Sequence, residues 1–185
     1  MLAICTYICY YIVTGKKESP EELENGTGKR KPSKEENKMT KMEMMEKLYG
    51  RSEELKKKFD AAEKVGDAQT MQACRDAYQE LVKEVQAEGE DFGNMMRLYS
   101  DMKKHGNSLL DLSGTYQEPE KLLKVFREFG VKEFTFSSTW SSAVQVAWQF
   151  TQLGCKLKGM TEIYGSGQKF MSNEYERIPA FLFSL

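Results

Sequence analysis

The feature that most constrains the fold is an apolar seam that alternates steps of three and four residues. It runs through Met45, Leu48, Leu55, Phe59 and Ala62, with Ser52 in the remaining slot. Such spacing gathers side chains on one stripe of a helix, the a and d positions of a coiled coil. Gly66-Asp67 interrupts the seam. Glycine suits the left-handed residue after a helix, and aspartate suits the cap of the next one. The seam resumes as Met71, Cys74, Tyr78, Leu81 and Val85, then Phe92, Met95, Tyr99 and Met102. Two amphipathic helices around a tight turn predict an antiparallel, coiled-coil-like helical hairpin over residues 39–106. Gly89 and Gly93 predict a kink or break in its second arm. Lys103, Lys104 and His105 before Gly106 predict its end, since cations complement a helix C-terminus. A seam of this kind serves first as core. Its methionines and tyrosines, which repack readily, also make Met71, Tyr78, Met95 and Tyr99 candidate contacts for a partner or a second copy.

Beyond the seam the period changes. Residues 107–118 read as a linker and 119–185 as a small module. Pro119 suits a first helical turn, Leu122, Leu123, Phe126 and Phe129 form an apolar face, and Gly130 ends the helix. "VKEFTFSS" alternates as a strand. "STWSSAVQVAWQFTQLG" reads as a helix with Trp140, Val144, Ala147, Trp148 and Phe150 on its apolar side. "CKLKGMTEIYG" is a second strand, with Cys155, Leu157 and Ile163 on the buried face. "YERIPAFLFSL" is a third, apolar on both faces, and Pro179 marks it as an edge strand. The fold class is therefore α+β: an N-terminal helical hairpin followed by an α-β-α-β-β module with a three-stranded sheet. The β-α-β part crosses over right-handed if its strands are adjacent and parallel, and the last two strands form a hairpin.

Residues 1–38 read as disordered or as a mis-assigned upstream extension. "MLAICTYICYYIVTG" falls short of the roughly 20 apolar residues a spanning helix needs, and it lacks the flanks of a secretory signal. Residues 16–38 carry mixed charge and almost nothing to bury. In a bacterial gene the codons for Lys34-Glu35-Glu36 can spell a ribosome-binding sequence at a conventional distance from Met39, which makes Met39 the expected natural start. The cysteines at 5, 9, 74 and 155 form no C-x-x-C pair, so they suit a reducing cytoplasm better than zinc or a disulfide scaffold.

Charge narrows the function classes. With 27 Lys+Arg against 28 Asp+Glu, the whole chain exerts no strong pull on nucleic acid or an anionic membrane. Lys56, Lys57 and Lys58 are a local exception between glutamates, the pattern of a solvated face. No charged residue occurs from Phe134 to Cys155. That leaves the crossover helix, with Trp140 and Trp148, an uncharged outer face of the kind found at interfaces. The hydroxyls of Ser137, Ser138, Thr139, Ser141 and Ser142 crowd the start of the same helix. Helix N-termini bind anions, so this is the one candidate anion or small-metabolite site, although ordinary capping accounts for it equally directly. There is no phosphate loop, no metal motif and no nucleophile signature, and the lone histidine, His105, stands at a helix end. No catalytic residue, metal or cofactor is expected.

"EFTFSSTWSSAVQVAWQFTQLGCKLKGMTEIYGS" and "NEYERIPAFLFSL" resemble a set of uncharacterised small proteins of low-GC Gram-positive bacteria that travel on mobile elements. The resemblance lies mainly over residues 133–185, and "MTKMEMMEKLYG" is similar to the beginning of such proteins. It implies a bacterial cytoplasmic setting and brings no activity or site residue. The expectation is a non-enzymatic interaction or accessory protein that binds a protein partner or forms a homodimer. The alternatives are a nucleic-acid accessory protein of a mobile element, motivated by Lys56–Lys58, and the anion binder. No membrane association is expected.

Overall fold

The structure, a computed structural model, describes residues 39–112, 118–138, 141 and 143–185. The readings made for residues 1–38, Thr139, Trp140 and Ser142 lie outside the described residues.

Helix α1 spans Lys41–Val65. It starts on a reciprocal cap: the Glu43 N–H donates to Thr40 Oγ1 at 3.2 Å, and the Thr40 N–H donates to the Glu43 carboxylate at 2.7 Å. It stops at Gly66, whose φ of 72° lets the Asp67 N–H reach back to the Ala62 carbonyl. Asp67 then caps α2, Ala68–Ala87, by accepting from the Thr70 N–H at 3.0 Å. The arms pack antiparallel along Met45, Leu48, Ala62, Cys74, Leu81 and Val85, all buried. Arg51 clamps Glu84 across them with two hydrogen bonds. The break predicted at the glycines is complete: Gly89 takes a φ of 96°, and a separate helix, α3, runs Glu90–His105.

Helix α4 is Pro119–Glu128, with Leu123, Val125 and Phe126 buried. Strand β1 is Glu133–Phe136, helix α5 is Ala143–Gln152, strand β2 is Lys156–Gln168 and strand β3 is Tyr175–Ser184. The sheet order is β1-β3-β2, and β3 pairs antiparallel with both neighbours.

This order corrects two expectations. β1 and β2 are parallel to one another but not adjacent, because β3 lies between them. β3 is thus central rather than an edge strand. Pro179 is accommodated by strand length. It stands opposite Glu162 of β2, whereas pairing with β1 reaches only to Phe136↔Phe181, so no neighbour on that side asks Pro179 for an N–H.

A third correction concerns β2. A register shift between Leu157 and Gly159 inserts one residue and inverts the alternation. Leu157 therefore shares a face with Phe183, and Ile163 shares the opposite face with Ile178.

Phe134 and Phe136 of β1 lie opposite Phe183 and Phe181 of β3 and form an aromatic floor. Phe134 meets Phe126 of α4 at 5.3 Å and Phe150 of α5 at 5.4 Å, each edge to face. Phe92 of α3 meets Phe129, just past α4, at 5.7 Å. Through that contact the buried seam of α1 and α2 joins the floor in one continuous core. The described part of the presumed linker belongs to the same core: Leu110 and Leu112 are buried. Thr135 donates its N–H to the Leu110 carbonyl at 2.8 Å and accepts the Leu112 N–H at 2.9 Å. This short parallel bridge closes the outer edge of β1. The outer edge of β2 has no such cover among the described residues.

Candidate interaction surface

The serine-rich end of β1 is where the sequence placed its one small-ligand hypothesis. Asp111, held beside β1 by the Leu110–Leu112 bridge, turns its carboxylate toward it. The Ser137 hydroxyl donates to one oxygen at 2.6 Å, and the Ser137 N–H and the Thr135 hydroxyl donate to the other at 3.1 Å and 2.9 Å. Ser137 and Thr135 are buried, so these bonds answer polar groups that water does not reach. The carboxylate occupies the position an external anion would take and repels a second negative charge. Ser138 is half-buried and Ser141 exposed.

The residues expected to meet partners divide into two groups. Met95 and Tyr99 are buried in the core, and Tyr99 stacks edge-on against Tyr49 at 5.6 Å. Met71 and Tyr78 are half-buried between the arms of the hairpin. Trp148 is different: it faces water, 63% exposed. Helix α5 rests on the sheet through Val146, Ala147 and Phe150, which turns Val144 and Trp148, one helical turn apart, to the outside. Val144 is 73% exposed. The sequence put both on the buried side. Its periodicity is ambiguous there because the helix is apolar all round, and only packing selects the inward stripe.

β2 packs against α5 and adds Leu157 and Met160, 49% and 59% exposed. Sequence reasoning missed both: the inverted alternation brings Leu157 out, and Met160 follows it on the same face, opposite Phe181. Farther along β2, Asn107 acts as a one-residue strand. Its side-chain amide donates to the Tyr164 carbonyl and accepts the Tyr164 N–H, both at 2.8 Å. The open edge therefore lies before Tyr164.

At that far end His105, Tyr164, Lys169, Tyr175 and Arg177 line an open cleft. The His105 ring stands edge-on to Tyr175 at 4.6 Å. Burial there pushes the His105 imidazole below its ordinary pKa. Arg177 lies over the Tyr164 ring and pairs with Glu162, and Lys169 pairs with Glu174. Burial likewise pushes the Cys155 thiol up, away from a reactive thiolate. Among the described residues no group of His, Cys, Asp and Glu side chains is placed to hold a metal ion, and no helix is long and apolar enough to cross a membrane.

Fold and surface together define an α+β protein with helices ahead of a three-stranded antiparallel sheet and an exposed apolar, charge-poor face on α5 and β2. Residues 94–185 match the family described as "Domain of unknown function (DUF7698)". The match covers just under half of the chain. It takes in most of α3, all of α4, α5 and the sheet, and leaves out α1 and α2. No curated protein and no solved structure is significantly similar to the chain.

Proposed function

We propose that this chain is a non-enzymatic interaction module that binds the apolar surface of another protein through the outer face of α5 and the adjoining part of β2. The reading rests on one observation: Val144 and Trp148 are turned outward beside the exposed Leu157 and Met160, inside the family-matched segment. The helix contributes no charge to this face, because the sequence carries none from Phe134 to Cys155. A charge-poor patch with a tryptophan at its centre has the composition of an interface core. The resemblance to small bacterial proteins of mobile elements supports a cytoplasmic accessory role for such a module. Nothing on this face offers the paired titratable groups that chemistry would need.

A photo-crosslinking side chain at position 148 tests the reading, with one at position 57 of α1 as control. The expected result is a discrete adduct from position 148 alone. The captured protein, once purified, should bind the wild-type chain and lose at least tenfold in affinity with Trp148→Ala or Leu157→Asp, a loss of about 1.4 kcal/mol. Equal adducts from both positions, or binding indifferent to both substitutions, would remove the proposal.

A further inference from the structure

The turn between β2 and β3 exposes Phe170 and Met171, 93% and 92% accessible. It is nonetheless a well-bonded turn. The Ser172 N–H donates to the Lys169 carbonyl at 3.0 Å, the Lys169 N–H to the Glu174 carbonyl at 2.9 Å, and the Glu174 N–H to Ser172 Oγ at 3.0 Å. Lys169 and Glu174 close it with an ion pair at 2.7 Å. Met171 takes a φ of 57°, the only non-glycine residue with positive φ among the described residues. It is the third residue of a four-residue turn, a position where a left-handed backbone favours glycine. A methionine there retains backbone strain that glycine would relieve. An ordered turn that holds two large apolar side chains in water, one on a strained backbone, is a preorganised anchor. The charges around it, Lys169, Glu174, Glu176 and Arg177, balance, so the turn has no basic excess to draw it to an anionic membrane.

We propose that two copies of this chain associate about a two-fold axis near the middle of β2, each seating its Phe170–Met171 turn on the Val144, Trp148, Leu157 and Met160 surface of the other. The proposal rests on the reading of that surface as an interface and names its occupant. The geometry comes from β2 itself, which carries the apolar surface at its start and the anchor beyond its end. Antiparallel apposition of two such strands makes the same contact twice, as an isologous dimer requires. Charge agrees with it. Lys156 stands at the surface end and Glu176 at the anchor end, and neither belongs to an ion pair within the chain. The two-fold sets the ends of opposite sign against each other. Because Asn107 holds the N–H and C=O of Tyr164, the copies meet through side chains at the axis rather than through a shared ladder.

Sedimentation velocity of the full chain over a concentration series tests this. The wild type should reversibly dimerise. Phe170→Ala and Trp148→Ala should each weaken the dimer at least tenfold without lowering the thermal midpoint of the monomer. Met171→Gly should weaken the dimer while raising that midpoint, an outcome no purely structural role for Met171 produces. Lys156→Glu should weaken it, and adding Glu176→Lys should restore it. A chain that stays monomeric throughout overturns the proposal, as does a dimer indifferent to Phe170→Ala and Trp148→Ala. So does Phe170-dependent cosedimentation with phosphatidylserine vesicles, which would assign the turn to a lipid surface. A monomer that still captures a different protein from position 148 overturns the dimer alone; a monomer that captures none overturns the interaction reading as well.

Discussion

Asp111 and His105 show how single residues draw their behaviour from distant parts of the chain. The Asp111 carboxylate gathers three donors from β1 and the residue after it, so Asp111→Ala leaves the buried Ser137 N–H and hydroxyl without a partner. Thr135 keeps its weaker bond to the Leu110 carbonyl at 3.3 Å. The expected cost is about 2 kcal/mol in urea unfolding; a change under about 0.5 kcal/mol would mean that the bonds are not formed in solution. The hydroxyl cluster at residues 137–142 was legible in the sequence. Its carboxylate was not, because Asp111 is 26 residues from Ser137 and only the parallel bridge brings them together. His105 is the single histidine, so one imidazole resonance reports it. Burial against Tyr175 disfavours the charged ring, with Asp101 and Asp111 pulling the other way and Lys104 adding to the burial effect. Its pKa in the folded state lies below the unfolded value of about 6.5. Between the two values the unfolded chain binds more protons. The stability tied to His105 is therefore complete above the unfolded value and is lost as pH falls through the folded one. An NMR titration should give a midpoint below about 6.5, and one at or above it would contradict the buried placement.

Among the elements, the helices were legible and the sheet was only half so. Thr40, Gly66, Asp67, Gly89, Gly106 and Pro119 act through the chain next to them, and each stands where its local chemistry placed it. Strands depend on partners that lie far away in sequence. The alternation of β2 implied that Leu157 and Ile163 share a face, and one inserted residue before Gly159 separates them. Gly159 has a φ of 141° and open space where a Cβ would go. Gly159→Ala should therefore cost about 1 kcal/mol through backbone strain alone. No loss in a denaturant titration would imply that the register shift relaxes in solution. Pro179 illustrates the same limit. Its missing N–H was read correctly as an unpaired position, but whether that makes a strand an edge depends on how far the neighbour runs, and β1 is only four residues long.

For the whole molecule, the decisive fact is one core that runs from Met45 and Leu81 through Phe92 to Phe134 and Phe183. The family match begins at Asn94, inside α3, and so excludes Phe92 and the two helices whose seam joins that core. A fragment of residues 94–185 should unfold without a cooperative transition and bind a hydrophobic dye, whereas the full chain should melt once, with helix and near-ultraviolet signals coincident. A sharply melting fragment would show that the sheet and its own helices suffice. The seam made the hairpin readable from the sequence. Its union with the sheet was not, because the Phe92–Phe129 contact has no periodic signature.

Sheet order also carries a consequence for how the chain is made. The middle strand leaves the ribosome after both strands it joins, so β1 and β2 can have no sheet partner until β3 emerges. During synthesis Phe134 and Phe136 therefore wait without the aromatic residues they finally face, while α1, α2 and α3 can already have closed on one another. The nascent sheet is the stage at which this protein depends most on chaperones, and premature termination before Tyr175 removes the centre of the sheet rather than its rim.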